Sequence, residues 1–235
     1  MSVNEEHRRP ISQRERGWAK WLTRMLVRSG VSPNFISFTS IVFAALAGLC
    51  FYAIALATSA GDRVLLCIGA ALFCQLRLLA NMMDGMVAVE AGKGGPDGPV
   101  WNELPDRFAD IFVLVGAGYC AAALDLADAS LGWAAAVAAV MTAYVREVAR
   151  SAGAPGDFSG PMAKPHRMFV MTVAALLTIV DRPIGGSWVE WAFNGDRGAD
   201  GDGAFILLAL WIVLIGATFT ALNRARRALV FLNKG

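Results

Sequence analysis

The sequence predicts an all-α integral membrane protein with six transmembrane helices preceded by an amphipathic interfacial helix. The 235-residue chain is 56% hydrophobic and only 17% charged, whereas about 25% of residues are charged in a typical soluble domain. Its charges are segregated, so several windows of roughly 18 residues or more are almost free of them, which is the length of a membrane-spanning helix. Basic residues gather at alternate ends of these windows, as they do in cytoplasmic loops.

Residues 12–29 predict the amphipathic helix. Apolar side chains, including Trp18 and Trp21, recur there with helical period. The basic residues that can reach the polar boundary are Arg14, Arg16, Lys20, Arg24 and Arg28. This pattern is typical of a helix lying among lipid headgroups, although a helix packed on the protein's own cytoplasmic face is the alternative. We expect residues 1–29 to form a cytoplasmic tail and helix, and residues 30–235 to form the membrane domain.

Six apolar segments follow, and each is predicted to span the membrane. They cover about 34–58, 63–88, 103–125, 130–151, 166–181 and 204–223. The first begins after Ser32 and Pro33, a pair suited to the cap and first turn of a helix. A Gly- and Asp-rich linker at 184–203 precedes the last span, and we expect its Trp188 and Trp191 to lie at the membrane interface.

The distribution of basic residues predicts the orientation in the membrane. The N-terminus, the 85–107 region, the 146–167 region and the C-terminal tail hold seven, two, four and four Lys or Arg residues. The loops at the opposite ends of the spans hold only Arg63, Arg182 and Arg197. Both termini are therefore expected to face the cytoplasm, in an integral protein of the cytoplasmic membrane.

Polar residues where the second and third spans meet give the strongest functional signal. Asn81 and Asp84 are three residues apart and share a helical face. Asn102, Asp106 and Asp110 recur at four-residue spacing and share a face of the next span. The Gly- and Pro-rich segment between them is expected to reverse the chain and bring these side chains together. Ionisable groups at the end of a membrane span are costly to keep, which favours a functional role.

The chemistry of these side chains suits a divalent metal. Carboxylate and amide oxygens are ligands for Mg²⁺ or Mn²⁺, and such an ion can polarise a phosphate bond. Gly85, Ala88 and Gly98 are small where a nucleotide would approach the backbone closely. Arg77 lies two turns before Asp84, and we expect it to point into the bundle, toward that carboxylate or a bound anion.

These residues resemble the signature of the CDP-alcohol phosphatidyltransferase family, D-x2-D-G-x2-A-R-x8-G-x3-D-x3-D. This chain reads N-x2-D-G-x2-A-V-x8-G-x3-N-x3-D in unbroken register. It departs from the signature at Asn81 and Asn102, which replace aspartates, and at Val89, which replaces arginine. The resemblance extends to the six-span layout and the basic N-terminal helix.

The resemblance implies transfer of a phosphatidyl or other phosphoalcohol group from a CDP-alcohol to a hydroxyl acceptor with release of CMP, in phospholipid biosynthesis. CDP-diacylglycerol is the expected donor. Family members hold two divalent ions on four aspartates and form homodimers. By the residue match Asp106 is the expected general base and a metal ligand, Asp84 is a ligand, and Asn81 and Asn102 fill the remaining ligand positions. An amide carries no charge, so the two asparagines should weaken metal binding, and the site could hold one ion or two. Asp110 is best placed by its helical position to compensate for the lost charge.

A second basic cluster lies near the predicted cytoplasmic ends of the fourth and fifth spans. Arg146 and Arg150 are one helical turn apart, and Lys164 follows a Gly- and Pro-rich turn. Guanidinium groups suit phosphate binding, although flanking charge of cytoplasmic loops also explains the cluster. The stretch resembles the family's R-E…R…G…K region, which implies that these three residues contact the acceptor or its phosphate.

Two alternatives to the enzyme remain. A catalytically silent homologue would bind nucleotide-lipid or a partner protein, and the Asn81 and Asn102 pair is its main support. A six-span transporter would carry polar residues at mid-membrane, whereas here they gather at one face. The predicted partners are a CDP-alcohol, a hydroxyl acceptor, membrane lipids and a second copy of the chain, with no nucleic acid.

Overall fold

The computed structural model describes residues 16–92, 97–181 and 202–234, without the side chains of Pro99 and Asn102. The tail before residue 16 and most of the predicted linker, with Trp188 and Trp191, lie outside the described residues. Within them the regular structure is entirely helical. The helices are α1 (Gly17–Arg28), α2 (Pro33–Ile54), α3 (Ala60–Glu90), α4 (Gly98–Ala123), α5 (Ser130–Ser151), α6 (Lys164–Leu177) with a 3₁₀ turn (Thr178–Val180), and α7 (Ala204–Leu232).

Six of these helices form a closed ring. Helix α2 packs between α3 and α4, α4 continues to α5, and α5 packs along α7. Helix α6 lies between α7 and α3 and closes the ring. Chain order and spatial order therefore differ, and residues of α3, α4 and α6 can face one another around the interior.

Four helices are long and apolar enough to cross a membrane: α2, α3, α5 and α7. The other two predicted spans do not reach that standard within the described residues, for different reasons. Helix α4 has the length, but its first half carries Glu103, Asp106, Arg107 and Asp110. Helix α6 has only 14 residues, about 21 Å at 1.5 Å per residue, before the 3₁₀ turn extends it.

The beginnings of α2 and α3 are fixed by serine caps. The Ser32 hydroxyl accepts a hydrogen bond from the Phe35 N–H at 3.2 Å, and Pro33 occupies the first turn, as the sequence predicts. Ser59 caps α3 by accepting from the Asp62 N–H at 3.0 Å. Each serine satisfies an N–H group that has no partner inside its helix.

Small side chains are frequent inside the ring, and many large apolar ones point away from it. The buried positions are rich in alanine, whereas Leu49, Leu65, Val137, Ile215 and Leu222 are at least 60% exposed. In water such a surface would be unfavourable, but lipid tails are as apolar as leucine, and close packing of small residues is what holds membrane helices together. The pattern of exposure therefore fits a bundle surrounded by lipid.

Two helix crossings depend on glycine. A Cβ atom on Gly48 would overlap the Phe112 carbonyl of α4, and one on Gly116 would overlap the Gly48 backbone. At the next crossing, a Cβ on Gly118 would lie 2.6 Å from the Gly132 Cα of α5. Backbones approach this closely only where no side chain intervenes, which places α4 tightly between α2 and α5.

Helix α1 lies on α3 through its small residues. Ala19 and Thr23 are buried, and the Thr23 hydroxyl lies 3.9 Å from the Met83 sulfur. Trp18 and Trp21 are 45% and 61% exposed. The helix is thus amphipathic, as the sequence predicts, with one side on the protein and its tryptophans facing outward.

An ion-pair group fixes the opposite end of the ring. Arg63 of α3 lies 2.6 Å from Asp181 and 2.6 Å from Asp202. The Gly203 N–H donates to Asp181 at 2.6 Å. The start of α7 is thereby joined to the end of the α6 segment and to α3.

We predict that Gly116→Ala destabilises the protein because the added methyl group meets the α2 backbone. Overpacking of this kind costs about 1–3 kcal/mol, which lowers the midpoint of thermal unfolding by at least ~2 °C for a chain of this size. The midpoint would be measured in detergent. Gly61→Ala is the matched control, because its nearest neighbour is 3.8 Å away; equal midpoints for the two variants would contradict the close crossing.

Candidate active site

Three helices bring their polar residues to one point near the predicted cytoplasmic end of the ring. Asn81 lies on α3, Asp106 on α4, and Lys164 is the first residue of α6. The Lys164 ammonium donates to Asn81 Oδ1 and to Asp106 Oδ2. The predicted α3–α4 hairpin therefore brings Asn81 and Asp106 to a common partner, which α6 supplies.

Asp84 lies one helical turn beyond Asn81 and is only 5% exposed. Its carboxylate accepts hydrogen bonds from the Ser37 hydroxyl of α2 at 2.8 Å and from the Gly85 N–H. Among the residues that the structure describes, it makes no ion pair. A buried carboxylate without a cation is costly, so Asp84 is the best-placed residue for a cation from solution.

Asp106 has a cation at each of its two carboxylate oxygens. Arg77 of α3 lies 3.2 Å from Asp106 Oδ1, while Lys164 contacts Oδ2. Arg77 is buried inside the bundle, as predicted. The predicted approach to Asp84 is wrong, because the arginine lies on the face of α3 that meets α4, and contact with a bound anion stays a prediction. Its guanidinium also lies 3.7 Å from Asp110.

Asp110 and Arg167 form a buried ion pair behind the site. Their carboxylate and guanidinium groups are 2.6 Å apart, and both side chains are at most 2% exposed. Arg167 also donates to the Met162 carbonyl at 2.8 Å and to the Thr142 hydroxyl at 3.3 Å. Asp110 thus acts as an anchor for α6, and its oxygens lie with arginines rather than with the proposed metal ligands.

Sequence reasoning gave no site role to Ser37, Arg107 or Arg167. Ser37 is one turn after Pro33 in an apolar span, where a serine is not unusual. The sequence places Arg167 in the second basic cluster, beside Lys164, but assigns it no role of its own. Its spacing from Lys164, three residues on one helix, was the available signal that both point toward α3 and α4.

The second basic cluster is divided by the structure. Arg146 lies 2.5 Å from Glu103 of α4 and 2.8 Å from Glu147. Arg150 shares Glu147 at 3.2 Å. Lys164, predicted to join these two arginines, instead contacts Asn81 and Asp106, so the three predicted acceptor residues do not form one cluster.

A continuous charged chain connects the two halves. Glu103 pairs with both Arg107, at 3.4 Å, and Arg146. Arg107 lies 3.8 Å from Asp106. The Arg146 guanidinium also lies 4.8 Å from the centre of the Phe158 ring, a cation–π arrangement.

The three small residues predicted to border a nucleotide lie around the α3–α4 turn. Gly85 and Ala88 are half-buried on α3. Gly98 is the first residue of α4, and a Cβ atom there would meet nothing within 4 Å. Packing within the described chain therefore gives no reason for a glycine at position 98.

The residues fit one divalent ion better than two. Asp84 offers a buried carboxylate with no ion pair among the described residues, whereas Lys164 already lies between Asn81 and Asp106. The described residues contain no group of three or more His, Cys, Asp or Glu side chains that could hold a metal. An ion on Asp84 would therefore need amide, water or substrate oxygens to complete its coordination.

Solved structures share this architecture. Mycobacterium tuberculosis phosphatidylinositol phosphate synthase (PgsA1) with CDP-DAG bound has a TM-score of 0.64 and 18% identity, covering 88% of this chain and 91% of that chain. The same synthase in complex with manganese and citrate has a TM-score of 0.65 and 18% identity, covering 88% of this chain and 87% of that chain. Its apo form has a TM-score of 0.61 and 20% identity, covering 87% of this chain and 93% of that chain.

This chain has the fold of that synthase. No family model and no curated protein matches the sequence. The likeness therefore rests on the arrangement of the helices, and the chemistry has to be argued from the site residues.

We predict that Asp110→Leu destabilises the protein by about 3–5 kcal/mol, because it leaves Arg167 buried without its carboxylate. Thermal unfolding in detergent measures the loss. Asp110→Leu combined with Arg167→Met removes both charges and should recover a large part of it. Arg167→Met alone completes the cycle. If the double variant lost as much stability as the two single variants lose together, the two charges would not be coupled.

Proposed function

We propose that the protein transfers a phosphatidyl or other phosphoalcohol group from a CDP-alcohol, with CDP-diacylglycerol as the donor, to a hydroxyl acceptor and releases CMP, as a step of phospholipid biosynthesis. One observation carries this proposal. Asn81, Asp106 and Lys164 meet across three helices, with Asp84 one turn away, in the fold of a synthase whose solved structure contains CDP-DAG.

The proposed metal is Mg²⁺ or Mn²⁺, and Asn81, Asp84, Asn102 and Asp106 are the proposed ligand positions. The ion would screen the pyrophosphate of the donor and make CMP a better leaving group. The buried Asp84 carboxylate, which has no ion pair among the described residues, supports this assignment, as does the manganese complex of the structurally similar synthase.

Within the chain, Asp106 is the proposed general base. An acceptor hydroxyl held beside Oδ2 would pass its proton to that oxygen as it attacks phosphorus. Lys164 must then give up part of its contact with Oδ2, which its flexible side chain permits, while Arg77 stays at Oδ1 and keeps the carboxylate oriented. Gly85, Ala88 and Gly98 leave space for the nucleotide.

Arg146 and Arg150 are proposed to bind an anionic group of the acceptor. Glu147 now connects them, and Glu103 holds Arg146 from the side of the metal site. An acceptor phosphate would replace one of these carboxylates in the fork of Arg146. Binding of the acceptor would thereby change the position of Glu103, next to ligand position 102.

We also propose that all six ring helices span the cytoplasmic membrane, with residues 1–29 as cytoplasmic tail and interfacial helix and residues 30–235 as the membrane domain. Closure of the ring supports this, because α4 and α6 each pack between helices that are long and apolar enough to span. The outward-facing tryptophans of α1 support its interfacial position. Both termini and the site face the cytoplasm, and the protein acts as a homodimer.

The competing proposal is a silent homologue that binds nucleotide-lipid or a partner protein. The observation that favours it is Lys164, which neutralises part of the site where a catalytic ion is expected. Binding of CDP-diacylglycerol without CMP release, across a panel of polyol, polyol phosphate and amino-alcohol acceptors, would support it.

We expect purified protein with CDP-diacylglycerol, Mn²⁺ or Mg²⁺ and a suitable acceptor to release CMP, measured by chromatography. Asp106→Asn should lower the rate by about 10²–10⁴-fold, the usual contribution of a positioned base. Asp84→Asn should reduce it to background, as should EDTA. Asp128→Asn is the control, because Asp128 is exposed in the loop before α5; wild-type rates in the Asp106 variant would exclude that residue as the base.

The proposed orientation predicts which loops are open to the cytoplasm. In a cysteine-free background, Pro155→Cys, between α5 and α6, should react with an impermeant thiol reagent only after the cells are opened. Asp128→Cys should react in intact cells. Both positions are exposed, so accessibility depends on the side of the membrane, and the reverse labelling would overturn the orientation.

A further inference from the structure

We propose that the Lys164 ammonium replaces one of the two divalent ions implied by the family resemblance, so that this chain holds a single ion on Asp84. The inference rests on the proposed function, since it takes Asn81, Asp84 and Asp106 as ligand positions. It goes further by giving Lys164 a role in the cation count of the site instead of in acceptor binding.

The position of the ammonium is the first argument. Nζ contacts Asn81 Oδ1 from α3 and Asp106 Oδ2 from α4. These are the first and last ligand positions of the motif, and an ion bridging the two helices would have to contact the same two oxygens. A cation that belongs to the chain already makes those contacts.

The anchoring of the ammonium is the second argument. Lys164 begins α6, and its side chain is only 20% exposed. Arg167, three residues later on the same side of the helix, is fixed to Asp110 at 2.6 Å. The helix that carries Lys164 is therefore tied to the helix that carries Asp106, and the ammonium is directed toward the site.

The charge of the site is the third argument. Asparagine at positions 81 and 102 removes two negative charges from the motif, which is the charge of one divalent ion. Asp106 already lies between Arg77 and Lys164. A divalent ion between Asn81 and Asp106 would meet one carboxylate and an uncharged amide. It would also meet the positive charges of Arg77, Arg107 and Lys164, a poor environment for a hard cation.

Asp84 differs from Asp106 in its lack of a cationic partner in the part of the chain that the structure describes, and this difference decides which carboxylate can bind the divalent ion. It is 5% exposed and has hydrogen bonds from Ser37 and Gly85, but it has no ion pair among the described residues. The two carboxylates of the motif therefore divide their roles. Asp106 is paired with cations of the chain, and Asp84 is left for an ion from solution.

Mn²⁺ binding to the detergent-solubilised full chain, without nucleotide or acceptor, tests the inference. Equilibrium dialysis combined with the electron paramagnetic resonance signal of free Mn²⁺ gives the number of ions per chain. We expect one ion for the wild type and one for Asn81→Asp/Asn102→Asp, in which Lys164 is intact. Adding Lys164→Met to that double variant should raise the number to two.

Two controls separate charge from structure. Lys164→Arg in the same double-aspartate background keeps a positive charge and should hold the number at one. Lys20→Met removes an exposed lysine of α1 and should leave the number and the affinity unchanged within about 3-fold, because surface charge at a distance is largely screened.

Two bound ions in the wild type, or in the double-aspartate variant with Lys164 intact, would overturn the inference. A single ion in the triple variant would also overturn it. If the triple variant does not fold, the number of ions bound by the wild type and by the double-aspartate variant still tests the inference. Two ions together with CMP release would refute only the role of Lys164, whereas one ion without CMP release from any acceptor would refute only the proposed reaction.

Discussion

The buried ion pairs among α3, α4 and α6 are the constraint on which the site depends. Asp110 lies with Arg167 at 2.6 Å and with Arg77 at 3.7 Å, and none of the three is more than 2% exposed. Removing such charges from water is costly, so the pairs contribute little net stability. Their effect is on specificity, because any rotation or slip of α6 would leave an arginine or a carboxylate buried alone.

This constraint fixes the chemistry one helical turn away. Arg77 contacts both aspartates of α4, so the same guanidinium anchors the structural pair and orients Asp106. Lys164 and Arg167 are three residues apart on α6, so fixing Arg167 also directs Lys164. The position of a flexible lysine in the site is in this way determined by a rigid ion pair behind it, which is how a supporting layer usually holds functional groups in place.

Much of this could be predicted from spacing along single helices. Asn81 and Asp84, and then Asp106 and Asp110, recur at intervals that place them on shared faces, and Ser32 with Pro33 predicts the start of α2. The partners of Arg77 and Lys164 could not be predicted in the same way, because they depend on how α6 packs against α3 and α4. A lysine beside a membrane span is equally well explained by cytoplasmic flanking charge, and sequence alone does not separate that role from a contact across 83 residues.

The charge chain from Asp106 through Arg107, Glu103 and Arg146 gives the site a second property. Each link is an ion pair of 3.8 Å or less, and it runs from the proposed base to the proposed acceptor arginine. An anion that displaces Glu103 from Arg146 leaves that carboxylate with Arg107 alone. Arg107 is then more fully neutralised by Glu103 and less available to Asp106. Under the proposed function, an anionic acceptor would therefore reduce the positive charge around Asp106 as it binds, when the hydroxyl to be activated is in place.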